Sequence, residues 1–169
     1  MKKFLFFVVA CLFTCGMHAQ SVDWYHVDGS CVIRGGYNFA EKMPFGGVAV
    51  IAEFGFLRAQ LEVGALGVKT GLERPGVFPY IAPMFGFSTS GRHVVYVLAG
   101  TMPIGALYKD GNTTGVVPPV WLPRLEAGVD FRLSDLLYLN VGGTYLIPLK
   151  SHPTPFKNAA LTVGLGFRL

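Results

Sequence analysis

The residues that could carry acid–base or metal chemistry are few in this chain, and they are scattered. After residue 20, histidine occurs only as His26, His93 and His152, and no two of these have the spacing of a metal-binding pair. Cys31 is the only cysteine in the same part of the chain, which excludes an intramolecular disulfide and a cysteine-based zinc site there. The sequence therefore predicts no catalytic residue, no metal site and no cofactor.

Eight charged residues have a different property in common. Each occupies a polar position in a segment where polar and apolar residues alternate, and they are Arg34, Glu53, Arg58, Glu62, Arg124, Glu126, Asp130 and Arg168. Four are basic and four are acidic, so they can neutralise one another if one face of a closed sheet brings them together. We interpret them as an interior ion-pair network and not as a general acid–base couple.

The alternation recurs in eight segments of about ten residues, and its period of two is that of a β-strand with two unlike faces. The segments cover 30–39, 48–56, 58–68, 78–88, 93–102, 120–132, 136–147 and 159–169. Long spacers at 40–47, 69–77, 103–119 and 148–158 follow the odd-numbered segments, and short turns follow the even-numbered ones. In an up-and-down meander, all long connections then lie at one end.

Composition narrows the class further. The chain has 169 residues, enough for one domain, and only 14% of them are charged, whereas about 25% is usual for a soluble domain. Low charge with 51% hydrophobic residues excludes a disordered chain, and 22 glycines argue against a helical bundle. No run of lysine or arginine occurs, so a nucleic-acid partner is not expected.

The first nineteen residues have the layout of a secretory signal peptide. Lys2 and Lys3 precede an apolar run at 4–13, and cleavage is expected between Ala19 and Gln20. A short membrane anchor and lipidation at Cys11 are the alternatives. The predicted domains are a signal peptide at 1–19 and a β-barrel at 20–169, and the mature chain carries a net charge of +2.

The charged face must point inward or outward, and we assign it to the interior. Eight charges are sparse for the surface of a soluble barrel, but they can pair inside a narrow eight-stranded one while the apolar faces contact lipid. Aromatic residues support two interfacial belts: Tyr37, Phe39, Phe78, Tyr80, Trp121 and Tyr145 at the loop-rich end, and Phe54, Phe56, Phe85, Phe87, Phe131 and Phe167 at the other. The predicted fold is all-β, an eight-stranded antiparallel up-and-down transmembrane β-barrel. A soluble periplasmic lipocalin-like barrel is the alternative.

With these features, the chain resembles the small eight-stranded outer-membrane barrels of the OmpA/OmpX type. The most specific match is the C-terminal assembly signal, with Thr162, Gly164, Phe167 and Leu169 in the expected positions. Two departures are a terminal leucine in place of phenylalanine and the absence of a following peptidoglycan-binding domain, so no wall-anchoring role is expected.

The resemblance implies location in the outer membrane of a diderm bacterium and a structural or surface-interaction role without catalysis. It implies outer-membrane lipid, lipopolysaccharide and the barrel-assembly machinery as partners, with both termini in the periplasm. The longest spacer, 103–119, has a hydrophilic tip at 109–112, and we expect it to be a mobile surface loop. It is the first candidate for contact with a surface ligand, and 148–158 is the second.

A lipid-modifying enzyme and a small pore are the remaining functional alternatives. Some small barrels deacylate lipid A with a histidine and a nearby Ser or Thr, and His152-Pro153-Thr154 offers that pair. The reaction also needs an acid on the following strand, and 159–169 contains none. A pore would need a continuous polar lumen, but eight strands leave room only for side chains.

Overall fold

The structure is a computed structural model that describes residues 27–39, 43–68, 76–110, 113–147 and 158–169. The proposed signal peptide at 1–19 lies outside the described residues, as does His152. No helix that is long and apolar enough to cross a membrane occurs in these ranges.

The described residues form eight antiparallel strands in a closed barrel, in which each strand pairs with the next along the chain. The strands are β1 (Val27–Asn38), β2 (Met43–Phe54), β3 (Leu57–Val68), β4 (Gly76–Ser88), β5 (His93–Asp110), β6 (Thr113–Arg132), β7 (Leu137–Leu146) and β8 (Asn158–Arg168). The predicted fold class, an eight-stranded up-and-down antiparallel barrel, is confirmed.

Pairing between the first and last strands closes the barrel. β1 and β8 are in register from Ser30 opposite Arg168 to Asn38 opposite Ala160. Beyond the ladder, the Leu169 backbone N–H donates to the Gly29 carbonyl at 2.9 Å. This pairing leaves no unpaired strand edge between β1 and β8, which is necessary in hydrocarbon because no water can satisfy the backbone groups there.

The period-two pattern sorts the side chains into two environments. In β1, Val32 and Arg34 are buried in the interior, whereas Ile33 between them is 60% exposed on the outer face. Phe85 on the outer face of β4 is 68% exposed. An outer face of large exposed apolar residues suits lipid rather than water.

Short turns define one end of the barrel, which we call the tight-turn end, and the opposite end is the loop-rich end. The β2–β3 turn consists of Gly55 and Phe56, and Gly55 has a φ of 62°. A two-residue hairpin loop favours positive φ, which glycine adopts without a steric penalty. Gly91, in the β4–β5 turn, has a φ of 131°.

The prediction of a long loop at 103–119 is wrong. β5 and β6 remain paired as far as Asp110 opposite Thr113, so that the connection shrinks to residues 111–112. The glycine and prolines that suggested a loop are accommodated by a shift in register between Ile104 and Ala106. The connections before β2 and β4 are also shorter than predicted, because these strands begin at Met43 and Gly76.

Three tyrosines in the interior lie over glycines directly opposite them on the neighbouring strand. The pairs are Tyr80 with Gly64, Tyr96 with Gly128 and Tyr138 with Gly166. Each ring occupies the space that a side chain on the opposite strand would fill. The prediction that Tyr80 belongs to the outer aromatic belt is wrong. Tyr80 lies on the inward face of β4 together with Ala82, and it is 4% exposed.

We predict that Gly166→Ala destabilises the barrel by about 1–3 kcal/mol, because the new methyl group would overlap the Tyr138 ring. The control is Gly143→Ala, where the nearest atom to the new methyl group is the Ala160 carbonyl oxygen at 3.8 Å. We expect the control to stay within about 0.5 kcal/mol of the unmodified protein. Urea unfolding in lipid vesicles measures both, and equal effects would contradict the proposed tyrosine–glycine packing.

Candidate functional site

The centre of the barrel interior holds two carboxylates between two guanidinium groups. Arg34 on β1 donates from Nη1 and Nη2 to the two oxygens of Glu126 on β6, at 2.5 and 3.0 Å, and it also contacts Glu62 on β3. Arg124 Nη2 lies 2.7 Å from Glu62 and 2.8 Å from Glu126. Both acids thus contact both arginines, and we call these four residues the central group.

Neutral side chains add hydrogen bonds to the two carboxylates of the central group. The Tyr80 hydroxyl donates to Glu62 at 2.7 Å, and the Tyr96 hydroxyl donates to Glu126 at 3.3 Å. Gln60 Nε2 lies 3.4 Å from Glu126. These contacts matter because a buried carboxylate needs hydrogen bonds as well as opposite charge to offset the loss of water.

A second group lies nearer the tight-turn end. Arg58 Nη1 is 2.6 Å from Asp130 and 3.2 Å from Glu53. Asn140 donates to Asp130 at 2.6 Å. We call Arg58, Glu53 and Asp130 the lower group.

Tyr96 joins the two groups. Its ring lies under the Arg58 guanidinium, with 4.0 Å between the guanidinium carbon and the ring centroid. Its hydroxyl accepts a hydrogen bond from Asn140 at 2.9 Å and donates to Glu126. The cation–π contact and the hydrogen bonds make one connected interior network.

The structure brings seven of the eight predicted network residues into ion pairs. Arg168 is the exception: it is partly exposed at the last position of β8, and it forms no ion pair with the described residues. The sequence reasoning missed Tyr80 and Tyr96, although their even positions place them on the same face of β4 and β5 as the buried neighbours Ala82 and Leu98.

Above the charged groups, the loop-rich end of the interior is apolar. Strands β3 to β7 contribute the residues of this apolar cluster, which are Leu66, Tyr80, Ala82, Met102, Leu122 and Leu146. Phe45 of β2 packs against the cluster. Leu122 and Ala82 are fully buried. Along the barrel axis, the described interior therefore passes from paired charges to a packed apolar layer.

The geometry offers no arrangement for acid–base or metal chemistry among the described residues. The acids of the network are held by arginines, and no group of three or more His, Cys, Asp or Glu residues within the described ranges could hold a metal ion. His93 is on the outer face, where its ring lies 5.6 Å from that of Phe131. What this arrangement can do is fill and rigidify the barrel.

The residues of the expected assembly signal occupy both faces of β8. Thr162 and Gly164 face the buried interior, whereas Phe167 and the terminal Leu169 are exposed, Leu169 at 88%. Phe167 therefore belongs to the outer aromatic residues of the tight-turn end.

Comparison with solved structures agrees with this architecture. The N-terminal β-barrel domain of Pseudomonas aeruginosa OprF has a TM-score of 0.67 at 12% identity and covers 84% of this chain and 97% of its own. Neisserial surface protein A has a TM-score of 0.57 at 11% identity, and the match covers 89% of this chain and 99% of that protein. The Yersinia pestis outer membrane protein Ail has a TM-score of 0.57 at 13% identity, and the match covers 85% of this chain and 100% of that protein. No protein-family profile and no curated protein sequence matches the chain.

The fold and its interior define a transmembrane β-barrel. In particular, this chain has the fold of the small eight-stranded outer-membrane barrels, so the resemblance to the OmpA/OmpX type is confirmed at the level of fold.

We predict that Glu126→Ala lowers the free energy of unfolding by about 3–5 kcal/mol, because it leaves Arg34 and Arg124 sharing one buried carboxylate. The matched control is Asp135→Ala, which breaks the exposed Arg132–Asp135 pair of 2.6 Å. Little change is expected there, since water screens that pair. Urea titration in vesicles measures the free energy of unfolding of both variants. Equal losses would mean that the buried network contributes no more to stability than an exposed ion pair.

Proposed function

We propose that this protein is a non-catalytic outer-membrane barrel that serves as a rigid, filled support and presents its loop-rich end to partners at the cell surface. The observation that carries the proposal is the β5–β6 hairpin. β5 and β6 stay paired as far as Asp110 opposite Thr113, whereas the last register pair of β6 with β7 is Arg124 opposite Leu146. The outer part of the hairpin therefore projects beyond the described end of β7.

The filled interior favours a support over a small pore. Seven of the charged side chains are engaged in ion pairs, and the apolar cluster lies above them across most of the barrel. An ion moving through would have to displace both. A lipid-modifying enzyme remains the second functional alternative through His152, which lies outside the described residues.

The proposed orientation places the loop-rich end outside the cell and both termini in the periplasm. It is supported by the asymmetry of the connections, since outer-membrane barrels have short periplasmic turns and longer external loops. Cleavage after Ala19 and recognition of the C-terminal signal by the barrel-assembly machinery belong to the same proposal. In that orientation the loop-rich end meets lipopolysaccharide.

The charge of the loop-rich end favours an anionic surface ligand. The segments 40–42, 69–75, 109–112 and 148–157 contain six basic residues and three acidic ones. The Yersinia pestis Ail barrel has also been solved in complex with the heparin analogue sucrose octasulfate. A sulfated polysaccharide is therefore a suitable first probe.

We predict that replacing residues 104–120 by a two-residue Asn-Gly turn leaves a barrel that inserts normally but binds heparin at least about tenfold more weakly, because the projecting contact surface is removed. Lys150→Gln with Lys157→Gln is expected to weaken binding further. Cells displaying each variant are titrated with labelled heparin.

The control for this titration is Arg92→Gln, which removes an exposed charge at the tight-turn end and should leave heparin binding unchanged. Equal binding by the unmodified protein and the variant without the hairpin would reject the proposed contact surface.

A further prediction tests the assembly signal. Phe167→Asp with Leu169→Asp should allow export but prevent insertion, so that the chain accumulates in the periplasm and is degraded. The reason is that two charges on the lipid-facing end of β8 oppose both recognition and membrane burial. Leu133→Asp with Leu136→Asp is the matched control, since these residues are exposed in the β6–β7 turn. Normal amounts of compact, heat-modifiable double mutant in the outer membrane would exclude this role.

A further inference from the structure

The ladder between β4 and β5 is unusually short. It runs over five register pairs, from Met84 opposite Gly100 to Ser88 opposite Tyr96, although β4 continues to Gly76 and β5 to Asp110. Every other neighbouring pair of described strands has at least nine register pairs. Toward the loop-rich end, the regular pairing between these two strands is thus missing.

Prolines account for the missing pairs. If the register continued, Pro83 would lie opposite Thr101, and Ile81 opposite Pro103. The Pro83 carbonyl is directed at β5, and the Val97 carbonyl of β5 is directed at β4. Every second residue of a strand directs its backbone groups to the same neighbour. Pro79, Pro83 and Pro103 therefore all occupy positions at which the backbone N–H would point across this seam, and proline has no backbone N–H.

Except for Thr101, the side chains on the two faces of this seam are apolar or aromatic. Tyr80, Ala82 and Met102 face inward and belong to the apolar cluster, whereas Pro79 and Ile81 face outward. No residue in 79–83 or 101–103 is charged. The central group borders the seam on the side of the tight-turn end, because Glu62 lies opposite Ala82 and Arg124 Nη1 lies 3.8 Å from Met102 Sδ. Lipid and the apolar cluster are separated here by a wall that lacks three of its N–H donors.

We propose that the seam between residues 79–83 and 101–103 opens laterally and admits one acyl chain of a bilayer lipid to the apolar cluster. The occupant follows from the surroundings, because the only medium in contact with the outer face of a membrane-spanning strand is hydrocarbon. Parting two paired strands in hydrocarbon leaves backbone groups without hydrogen-bond partners, which is strongly unfavourable. At this seam three of the donors are already absent, so parting the strands loses fewer hydrogen bonds than elsewhere. The inference goes beyond the proposed surface role and is independent of it.

Photo-methionine tests the proposal without changing the shape of the interior. Met84 and Met102 are both buried, but Met84 lies at the end of the intact ladder and packs with Tyr96 and Leu98, whereas Met102 lies at the seam. The full chain with Met43→Leu is labelled, inserted in phosphatidylcholine vesicles, irradiated and mapped by peptide mass spectrometry. We expect phospholipid adducts at Met102 and not at Met84.

A disulfide bond across the seam, which we call the redox clamp, tests in one protein whether the adduct requires the seam to open. Ile81→Cys and Pro103→Cys would face each other across the seam, and Cys31→Ser removes the competing thiol. Because Pro103→Cys restores one N–H donor, the adduct at Met102 should be weaker in the reduced variant than in the chain that keeps Pro103, and it should be lost on oxidation. Retention of the heat-modifiable form in both states confirms that folding is unchanged.

Two results would overturn the proposal: no adduct at Met102 in the unclamped protein, or an adduct that persists unchanged after oxidation. As a variant without cysteines, Pro83→Ala with Pro103→Ala restores two donors and should also reduce the adduct. Vesicles that contain unlabelled lipopolysaccharide as well identify the lipid class by the mass of the adduct at Met102.

Discussion

Backbone hydrogen bonding in hydrocarbon is the constraint on which the rest of this structure depends. No water is available there, so every strand needs a neighbour on each side, and a sheet of eight strands meets this condition only by closing. β1 and β8 supply the last pair along nine register positions. Once the sheet is closed, alternate residues of every strand must face a narrow interior, and that interior has to be filled with side chains.

The charged network is a consequence of this filling, and it also specifies the register. Because the side-chain period is two, a slip by one residue would turn Arg34 or Glu126 toward lipid. Arg34 contacts partners on β3 and β6, so that the network connects strands that are not neighbours in the sheet. The glycines opposite Tyr80 and Tyr96 are part of the same solution, since they provide the space from which both hydroxyls reach the central group.

The sequence allowed the fold to be predicted because one physical signal, the alternation of polar and apolar residues, is local and repeated in eight segments. It also identified the residues that face inward, such as Glu62 and Arg58. It could not assign Arg34 to Glu126, which is 92 residues away, because that contact depends on the stagger of the closed barrel. Proline and glycine at 103–119 predict a loop from local sequence alone. The bulge that accommodates them depends on the pairing of β5 with β6, which the local sequence does not show.

The projecting hairpin and the weak seam have a common origin in β5. Beyond Gly100 this strand has no register pair with β4, and it continues with β6 alone to Asp110. β6 is itself attached to β7 along nine register pairs, whereas β5 is attached to β4 along only five. The hairpin is therefore joined to the rest of the barrel by one longer and one shorter regular ladder. Because Tyr80 and Met102 on the inner face of the shorter one contact Glu62 and Arg124, a movement of this part of the wall is expected to reach the central group directly.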